Sequence, residues 1–320
     1  MDVIFLVCIS LALAISGYYL SQRSCVNRSQ PRSHDNVSTL ESDTPSELII
    51  IDTNYPSRIA QRREIIARHP TTVHGCVPEG VEPVRELYEF LLASYLPARY
   101  PTMFTLQGNK AVVNTAMGSS HPVIPPADPL QALRTLGETV EDDLFLVVET
   151  PGGHRLVAFA CCFPSGFDPS SKLGRVLAEI HEPVPGYEKI GGSMERFFAR
   201  LEVGKSVKRI NWSVTAQEEL FNPVGSHAED PEAVERDQDV DIEKARVRME
   251  LQTLTRLPRT KAILFSFKTY LYPVRDIKEE GLGPQFADAI EGLRRGNAPG
   301  MWTYKGAVRW GKSVCEYLRS

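Results

Sequence analysis

The densest group of chemically useful residues runs from Glu179 to Tyr187 and reads EIHEPVPGY. Two prolines and a glycine hold the backbone of this stretch in a fixed bend. His181 stands directly before the bend, so its side chain has a defined direction. Imidazole is a common axial ligand of heme iron. His181 is therefore a candidate iron ligand, and a hydrogen-bonded structural histidine is the alternative.

An acidic run is the second candidate for chemistry. Asp237, Asp239 and Asp241 alternate with other residues, and carboxylate oxygens are the ligands that magnesium and manganese prefer. A short Asp-x-Asp is also common in glycosyltransferases. The flanking Glu235 and Glu243 and the absence of apolar neighbours favour a solvated acidic loop instead.

Composition and missing motifs exclude several classes of protein. The chain has 36 Lys and Arg against 40 Asp and Glu, a net charge of -4, and so lacks the basic excess of a nucleic-acid binder. It contains no GxGxxG, Walker, HExxH or GxSxG motif, which argues against dinucleotide binding, P-loop chemistry, zinc proteolysis and serine hydrolysis. The six cysteines form no Cys-x-x-Cys, so no zinc site is expected. The adjacent Cys161 and Cys162 are predicted core residues.

The N-terminus predicts a membrane anchor. Residues 3–20 form 18 consecutive uncharged residues, which as a helix would span about 27 Å. Arginines follow this run, and the positive-inside rule then keeps the rest of the chain in the cytosol. A cleaved signal peptide is the alternative. We expect an anchor over 1–22, a disordered tether over 23–46 and a folded domain over 47–320, on the cytosolic face of the endoplasmic reticulum.

Alternating apolar and polar residues predict the strands of the folded domain. The expected pairs are two β-hairpins, 144–149 with 155–163 and 246–257 with 262–272, and a half-polar strand lies between them at 207–214. The Pro-Gly-Gly turn of the first hairpin leads into His154, which is predicted to be exposed.

Helical spacing of apolar residues predicts helices near both ends of the domain. One covers Val84 to Tyr95 and ends at Pro97. Another is capped by Ser193 and ended by Gly204. Two more are expected around residues 286–293 and 305–318. Helices flanking strands that pair through hairpins indicate one α+β domain with an antiparallel sheet.

Four blocks of the chain carry a resemblance to a known family: IHEPVPGY at 180–187, RINW at 209–212, QTLTRLPR at 252–259 and the strand 265–270. In order and spacing they resemble the heme-dependent oxidative N-demethylase α-subunit family, over most of residues 50–318. Fungal members of that family often carry an N-terminal anchor. The resemblance implies a PAS-like sheet that holds heme through a histidine, and oxidative removal of an N-methyl group with dioxygen and electrons.

The resemblance also implies cofactor-binding residues. His181 matches a histidine of the most distinctive block and is the implied iron ligand. Arg209, Arg256 and Arg259 match basic positions, and a planar guanidinium suits a heme propionate. The alternative for each arginine is an ordinary ion pair. Trp212 either lines the heme pocket or is a core residue.

Two further residues, Glu250 and Gln252, lie on the polar face of a predicted strand. The resemblance implies that they bind an amine substrate or position water, and they are the candidate catalytic residues. The family usually reads Glu-Arg-Gln at this point, whereas this chain reads Glu250-Leu251-Gln252.

Three functions follow as hypotheses. The first is a heme monooxygenase that demethylates an amine, such as a secondary metabolite, and receives electrons from a partner reductase at the membrane. The second is a heme-binding PAS-like sensor or carrier without turnover. The third is a lumenal glycosyltransferase, which requires the acidic run as a metal site and the opposite membrane topology.

Overall fold

The computed structural model describes residues 41–43, 47–224, 240–295 and 297–320. The predicted anchor, most of the predicted tether and the acidic run up to Asp239 lie outside these ranges. Within them, none of the helices combines the length and the apolar composition that crossing a membrane requires.

The described residues form an α+β body built on an antiparallel sheet. Its strands are β1 (Glu41–Asp43), β2 (His74–Cys76), β3 (Phe104–Gln107), β4 (Ala111–Asn114), β5 (Ser119–Pro122), β6 (Asp143–Thr150), β7 (Gly153–Ala160), β8 (Ser206–Thr215), β9 (Arg246–Arg256) and β10 (Ile263–Pro273). The main sheet has the order β1-β8-β9-β10-β6-β7-β2, and β3-β4-β5 form a small separate sheet. The predicted fold class is confirmed at this level, while its PAS-like character stays a prediction.

Helices lie before, between and after the strands: α1 (Tyr55–Arg68), α2 (Pro70–Val73), α3 (Val81–Tyr88), α4 (Leu96–Arg99), α5 (Pro129–Gly137), α6 (Leu177–Ile180), α7 (Tyr187–Arg200), α8 (Val274–Glu279), α9 (Gly283–Arg295), α10 (Met301–Tyr304) and α11 (Ala307–Arg319). A π-helical segment, Glu89–Tyr95, joins α3 to α4. Short 3-10 turns occupy Pro78–Gly80 and Pro169–Lys172.

Both predicted hairpins are confirmed. The strands β6 and β7 pair around a turn at residues 151–152, where Gly153 has a φ of +109° that only glycine adopts without strain. The strands β9 and β10 pair along their whole length, from Ile263 opposite Arg256 to Pro273 opposite Arg246. The strand β8 pairs with β9 and is the half-polar strand expected at 207–214.

Because side chains alternate along each strand, the sheet has two faces with different partners. The front face carries Phe145, Leu254 and Phe267, which pack in one core with Phe198 of α7. The back face is covered by the N-terminal helices at one end and by α8–α11 at the other, where Trp212 packs in the core. The helix α7 therefore packs against the front face of the sheet.

Two predicted helix boundaries are wrong. The helix beginning at α3 continues through the π-helical segment into α4, and Pro97 lies in the first turn of α4 rather than at an end. The missing N–H of a proline costs little at that position. The helix α7 begins at Tyr187, so Ser193 lies inside it and not at its cap, and it ends at Arg200, before Gly204.

The prediction that His154 is exposed is also wrong. Its side chain is buried, because α7 crosses the hairpin end at this point. The ring Nδ1 lies 2.5 Å from Glu195 Oε2, and the ring meets Phe198 edge-on. By contrast, Cys161 and Cys162 are buried as predicted.

A network of buried charges joins the segment before α1 to the back of the sheet. The ammonium group of Lys268 lies 2.9 Å from carboxylate oxygens of both Asp52 and Glu141. Next to it, burial raises the pKa of Asp142 from 3.8 to about 7, while Lys268 opposes the rise. One oxygen of Asp142 is buried without a hydrogen-bond partner.

The raised pKa of Asp142 predicts a pH-dependent stability. The native state holds a proton that the unfolded chain releases near pH 4, so the stabilisation is present at low pH and is lost as pH rises towards 7. Relative to Asp142→Asn, the wild-type free energy of unfolding should fall across this range by about 1.4 kcal/mol per pH unit at most. Urea titrations at several pH values measure it, with the exposed Asp288→Asn as the control. A pH-independent difference between wild type and Asp142→Asn would contradict the assignment.

Candidate functional site

The candidate site lies on the front face, where polar residues of β8 and β9 stand opposite one another. Antiparallel register places Arg209 opposite Gln252 and Asn211 opposite Glu250. On the next strand, Phe267 of β10 stands opposite Gln252. The candidate catalytic pair and Arg209 are therefore neighbours on one surface, although 43 residues separate Arg209 from Gln252 along the chain.

An aromatic patch borders this polar surface. Phe145 stacks on Phe159 at 6.0 Å and on Phe267 at 5.6 Å between ring centroids. Phe265 lies 5.6 Å from Phe267 and tilts against it. Four rings from three adjacent strands, β6, β7 and β10, thus form a continuous apolar wall beside the polar residues.

The orientation of His181 is fixed by the end of α6. Its Nδ1 lies 2.8 Å from the carbonyl oxygen of Leu177, so Nδ1 carries the ring hydrogen and the lone pair of Nε2 remains available. Its ring stacks parallel to Tyr187 at 5.1 Å. Donation of the ring N–H to a backbone carbonyl, which leaves the other ring nitrogen for the metal, is the arrangement that orients metal-bound histidines.

Electrostatics keep His181 in its neutral form. Burial lowers the pKa of His181 below its usual range, and the positive charges of Arg209 and Lys172 lower it further. The hydrogen bond to Leu177 opposes this shift and is the smaller effect. Only a neutral imidazole can donate a lone pair to a metal, so this ring is in the form that ligation requires.

The bend after His181 is held against the C-terminal part of the chain. Gly186 has a φ of +79°, and a Cβ there would meet Ala298 at 3.2 Å. A Cβ at Gly300 would likewise meet the Cβ of Pro185, at 3.0 Å. The predicted rigid bend is confirmed, and its packing against residues 298–300 positions the start of α7 over the front face.

A chain of hydrogen bonds links the polar residues. The Nε of Arg209 donates to Gln252 Oε1 at 2.6 Å, and the amide nitrogen of Gln252 donates to Glu250 Oε2 at 2.9 Å. From the other side, the amide nitrogen of Asn211 donates to the same Glu250 oxygen at 3.2 Å. Glu250 is only 8% exposed, and these donors solvate its charge.

Arg209 lies in a crevice. Its side chain is accessible to solvent, yet the surrounding protein desolvates it and lowers its pKa, while Glu250 opposes the shift. Its terminal nitrogens form no hydrogen bond with any residue in the described ranges. A guanidinium in this state is suited to a carboxylate ligand.

The other predicted heme contacts lie elsewhere. The guanidinium of Arg256 donates to the carbonyl oxygens of Leu201 and Phe198 and so caps the end of α7. Arg259 lies at the β9–β10 turn and pairs with Glu89 at 2.5 Å. Trp212 points to the back face and packs edge-on against a ring of α9. Since strands alternate, Trp212 cannot share a face with Arg209 and Glu250.

One family model matches residues 39–315, and its description is Haem-dependent oxidative N-demethylase, alpha subunit-like. The chain belongs to this family. The match begins ahead of β1, which pairs with β8. The name of the family implies dependence on heme and an oxidoreductase activity.

The residues of the front face fit a heme group. A planar apolar ring needs apolar neighbours, of which Phe265 is half-buried while Phe145, Phe159 and Phe267 are buried, and an axial donor, which the neutral His181 provides. The unpaired guanidinium nitrogens of Arg209 suit a propionate. Among the described residues, no cluster of three or more acidic, histidine or cysteine side chains is placed to hold a free metal ion.

Leu251, where this chain differs from the usual Glu-Arg-Gln of the family, does not lie on this surface. Its neighbours across the strands are Ile210 and Lys268, which belong to the back face. A longer side chain at position 251 would therefore point away from Glu250 and Gln252. The polar surface formed by Arg209, Asn211, Glu250 and Gln252 does not include position 251.

Sequence reasoning missed three parts of the site. Asn211 belongs to the RINW block and to the half-polar strand but has no predicted role, and its place opposite Glu250 follows from the register of β8 with β9. The aromatic wall was visible as alternating phenylalanines on β10. Lys305 carried no sequence signal, because 94 residues separate it from its partner Asn211.

Proposed function

We propose that this member of the family is a heme-dependent monooxygenase that removes an N-methyl group from an amine. The observation that carries the proposal is a neutral, oriented His181 that feels the charge of Arg209, while Arg209 is linked through Gln252 to the buried carboxylate of Glu250. A heme ligand and a charge partner for an ammonium group are therefore connected through one set of side chains.

Heme bound there would supply activation of dioxygen. One oxygen atom enters the methyl group, which leaves as formaldehyde, and the other becomes water by taking up two electrons and two protons. The aromatic wall excludes water from this reaction. Glu250 accepts a hydrogen bond from the substrate ammonium, holds its methyl group in place and can pass a proton inward.

The two electrons come from a separate reductase, in our proposal, and residues 3–20 hold the protein at a membrane beside it. Deletion of residues 1–22 should then release the protein from membranes during alkaline extraction while its heme content stays unchanged. Full-length protein that is already soluble before extraction would remove the membrane part of the proposal.

The function is tested by measuring formaldehyde. We expect dioxygen-dependent formaldehyde release from an N-methylated amine when a reductase system is supplied. Glu250→Gln should slow it about 100-fold, because positioned proton transfer contributes about that much, while heme content is retained. The exposed Glu64→Gln is the matched control. If the heme-loaded protein binds dioxygen but releases no formaldehyde from a broad panel of amines, a heme sensor or carrier is the better function.

A further inference from the structure

The orientation of the side-chain amides around Glu250 is the starting point. An amide group has an acceptor on one side and donors on the other, and a half-turn exchanges them. Gln252 and Asn211 both present their nitrogens to Glu250 Oε2. A turned amide would place an oxygen against the carboxylate, and repulsion would disrupt the site.

A positively charged side chain fixes the orientation of each of these two amides. The Nε of Arg209 donates to the oxygen of Gln252, and the ammonium of Lys305 donates to the oxygen of Asn211 at 3.1 Å. A cation has no acceptor to offer, so each amide oxygen must face its cation and each amide nitrogen must face Glu250. Two relays, each with the order cation, amide, carboxylate, therefore meet at one oxygen atom.

Lys305 lies outside the sheet, and contacts with Trp212 hold its side chain in place. It follows α10, donates to the backbone carbonyl of Trp212 and lies 5.1 Å above the Trp212 ring. Cation–π contact and a backbone hydrogen bond restrict a side chain that is otherwise long and mobile. The position of Trp212 on the back face thus contributes to the site indirectly, through Lys305.

The second oxygen of Glu250 remains for a ligand. Oε1 forms an ion pair with Arg248, whose Nε is 3.7 Å away, beyond ordinary hydrogen-bond length. With Oε2 bonded to two amides, Oε1 is the oxygen of Glu250 that retains capacity to accept a further N–H.

We infer that Lys305 and Asn211 are positioning residues that hold Glu250 with Oε1 directed at the ammonium group of the substrate. The inference rests on the proposed function for the identity of the ligand. The relay itself is independent of that function, because it is defined by contacts within the protein.

The first arm of the test uses nuclear magnetic resonance and needs no turnover. The side-chain NH2 signals of Asn211 are identified by their loss in Asn211→Ser. In the wild-type protein they should exchange slowly with solvent. In Lys305→Met exchange should accelerate at least about tenfold, because the amide is free to turn. Lys305→Arg should restore slow exchange.

The second arm measures kinetics on the heme-loaded protein. Lys305→Met should lower kcat/KM about tenfold, mainly through kcat, with Lys305→Arg recovering most of it. Asn211→Ser should behave like Lys305→Met and, since Asn211 is exposed, should fold normally. The matched control is Lys278→Met, which removes another lysine from above an aromatic ring, Tyr317, away from the site.

The outcomes separate the two claims. Altered amide exchange without any formaldehyde release upholds the relay and overturns the proposed function. Unchanged amide exchange in Lys305→Met overturns the relay, whatever the activity is. Equal kinetic losses in Lys278→Met and Lys305→Met would show that only general stability had been lost, and would also overturn it.

Discussion

Replacing His181 by alanine is expected to abolish stable heme binding. The variant removes an oriented, neutral imidazole that follows Ile180, a residue packed against the core of the front face, and we expect the affinity for heme to fall by more than about 100-fold. The fold should persist, because His181 follows a four-residue helix and contributes a single backbone hydrogen bond. Heme content after purification and the Soret absorption measure the effect.

Two controls make this result specific. His69→Ala removes an exposed histidine at the end of α1 and should leave heme content unchanged. Imidazole added to the His181→Ala protein should restore part of the Soret band by filling the vacated space. Full heme content in His181→Ala without added imidazole would show that another residue binds the iron.

Breaking the ion pair between Arg62 and Asp143 is expected to have the largest effect on stability. Both side chains are essentially inaccessible, and they meet at 2.7 Å. Asp143 also accepts the backbone N–H groups of Cys162 and Phe163. Asp143→Ala leaves a buried charge and two donors unpaired, so the free energy of unfolding should fall by about 3–5 kcal/mol. Urea titration measures it.

An exposed ion pair provides the comparison for this loss of stability. Arg319 and Asp288 also form a hydrogen-bonded ion pair, but Asp288 is 71% exposed. Asp288→Ala should cost less than about 1 kcal/mol, because water screens the pair. If Asp143→Ala and Asp288→Ala lower the free energy of unfolding by the same small amount, the ion pair between Arg62 of α1 and Asp143 of β6 does not stabilise the fold.

Local patterns predicted the sheet well. The Pro-Gly-Gly turn and the alternation of β9 and β10 specify hairpins whose strands are neighbours in sequence, so pairing and register follow from local information. The same register brings Glu250 and Gln252 to one face with Arg209, and this face could be predicted once β8 was paired with β9.

Other features of the structure depend on contacts between residues that are far apart in the sequence. His154 looks exposed after a glycine turn, but α7 covers it, and no local signal reveals a helix that arrives 41 residues later. The charge of Arg256 suits a propionate, and in the structure its guanidinium donates hydrogen bonds to carbonyl groups at the end of α7. Lys305 reaches the site only because α10 packs beside Trp212.

Titration of the purified wild-type protein with hemin, followed by absorption spectroscopy, tests the central claim most directly. We expect saturation at one heme per chain, with a Soret band characteristic of histidine ligation that shifts on reduction and again on exposure to carbon monoxide. Absence of a saturable Soret band in folded protein, as judged by circular dichroism, would contradict the assignment of a heme site to the front face.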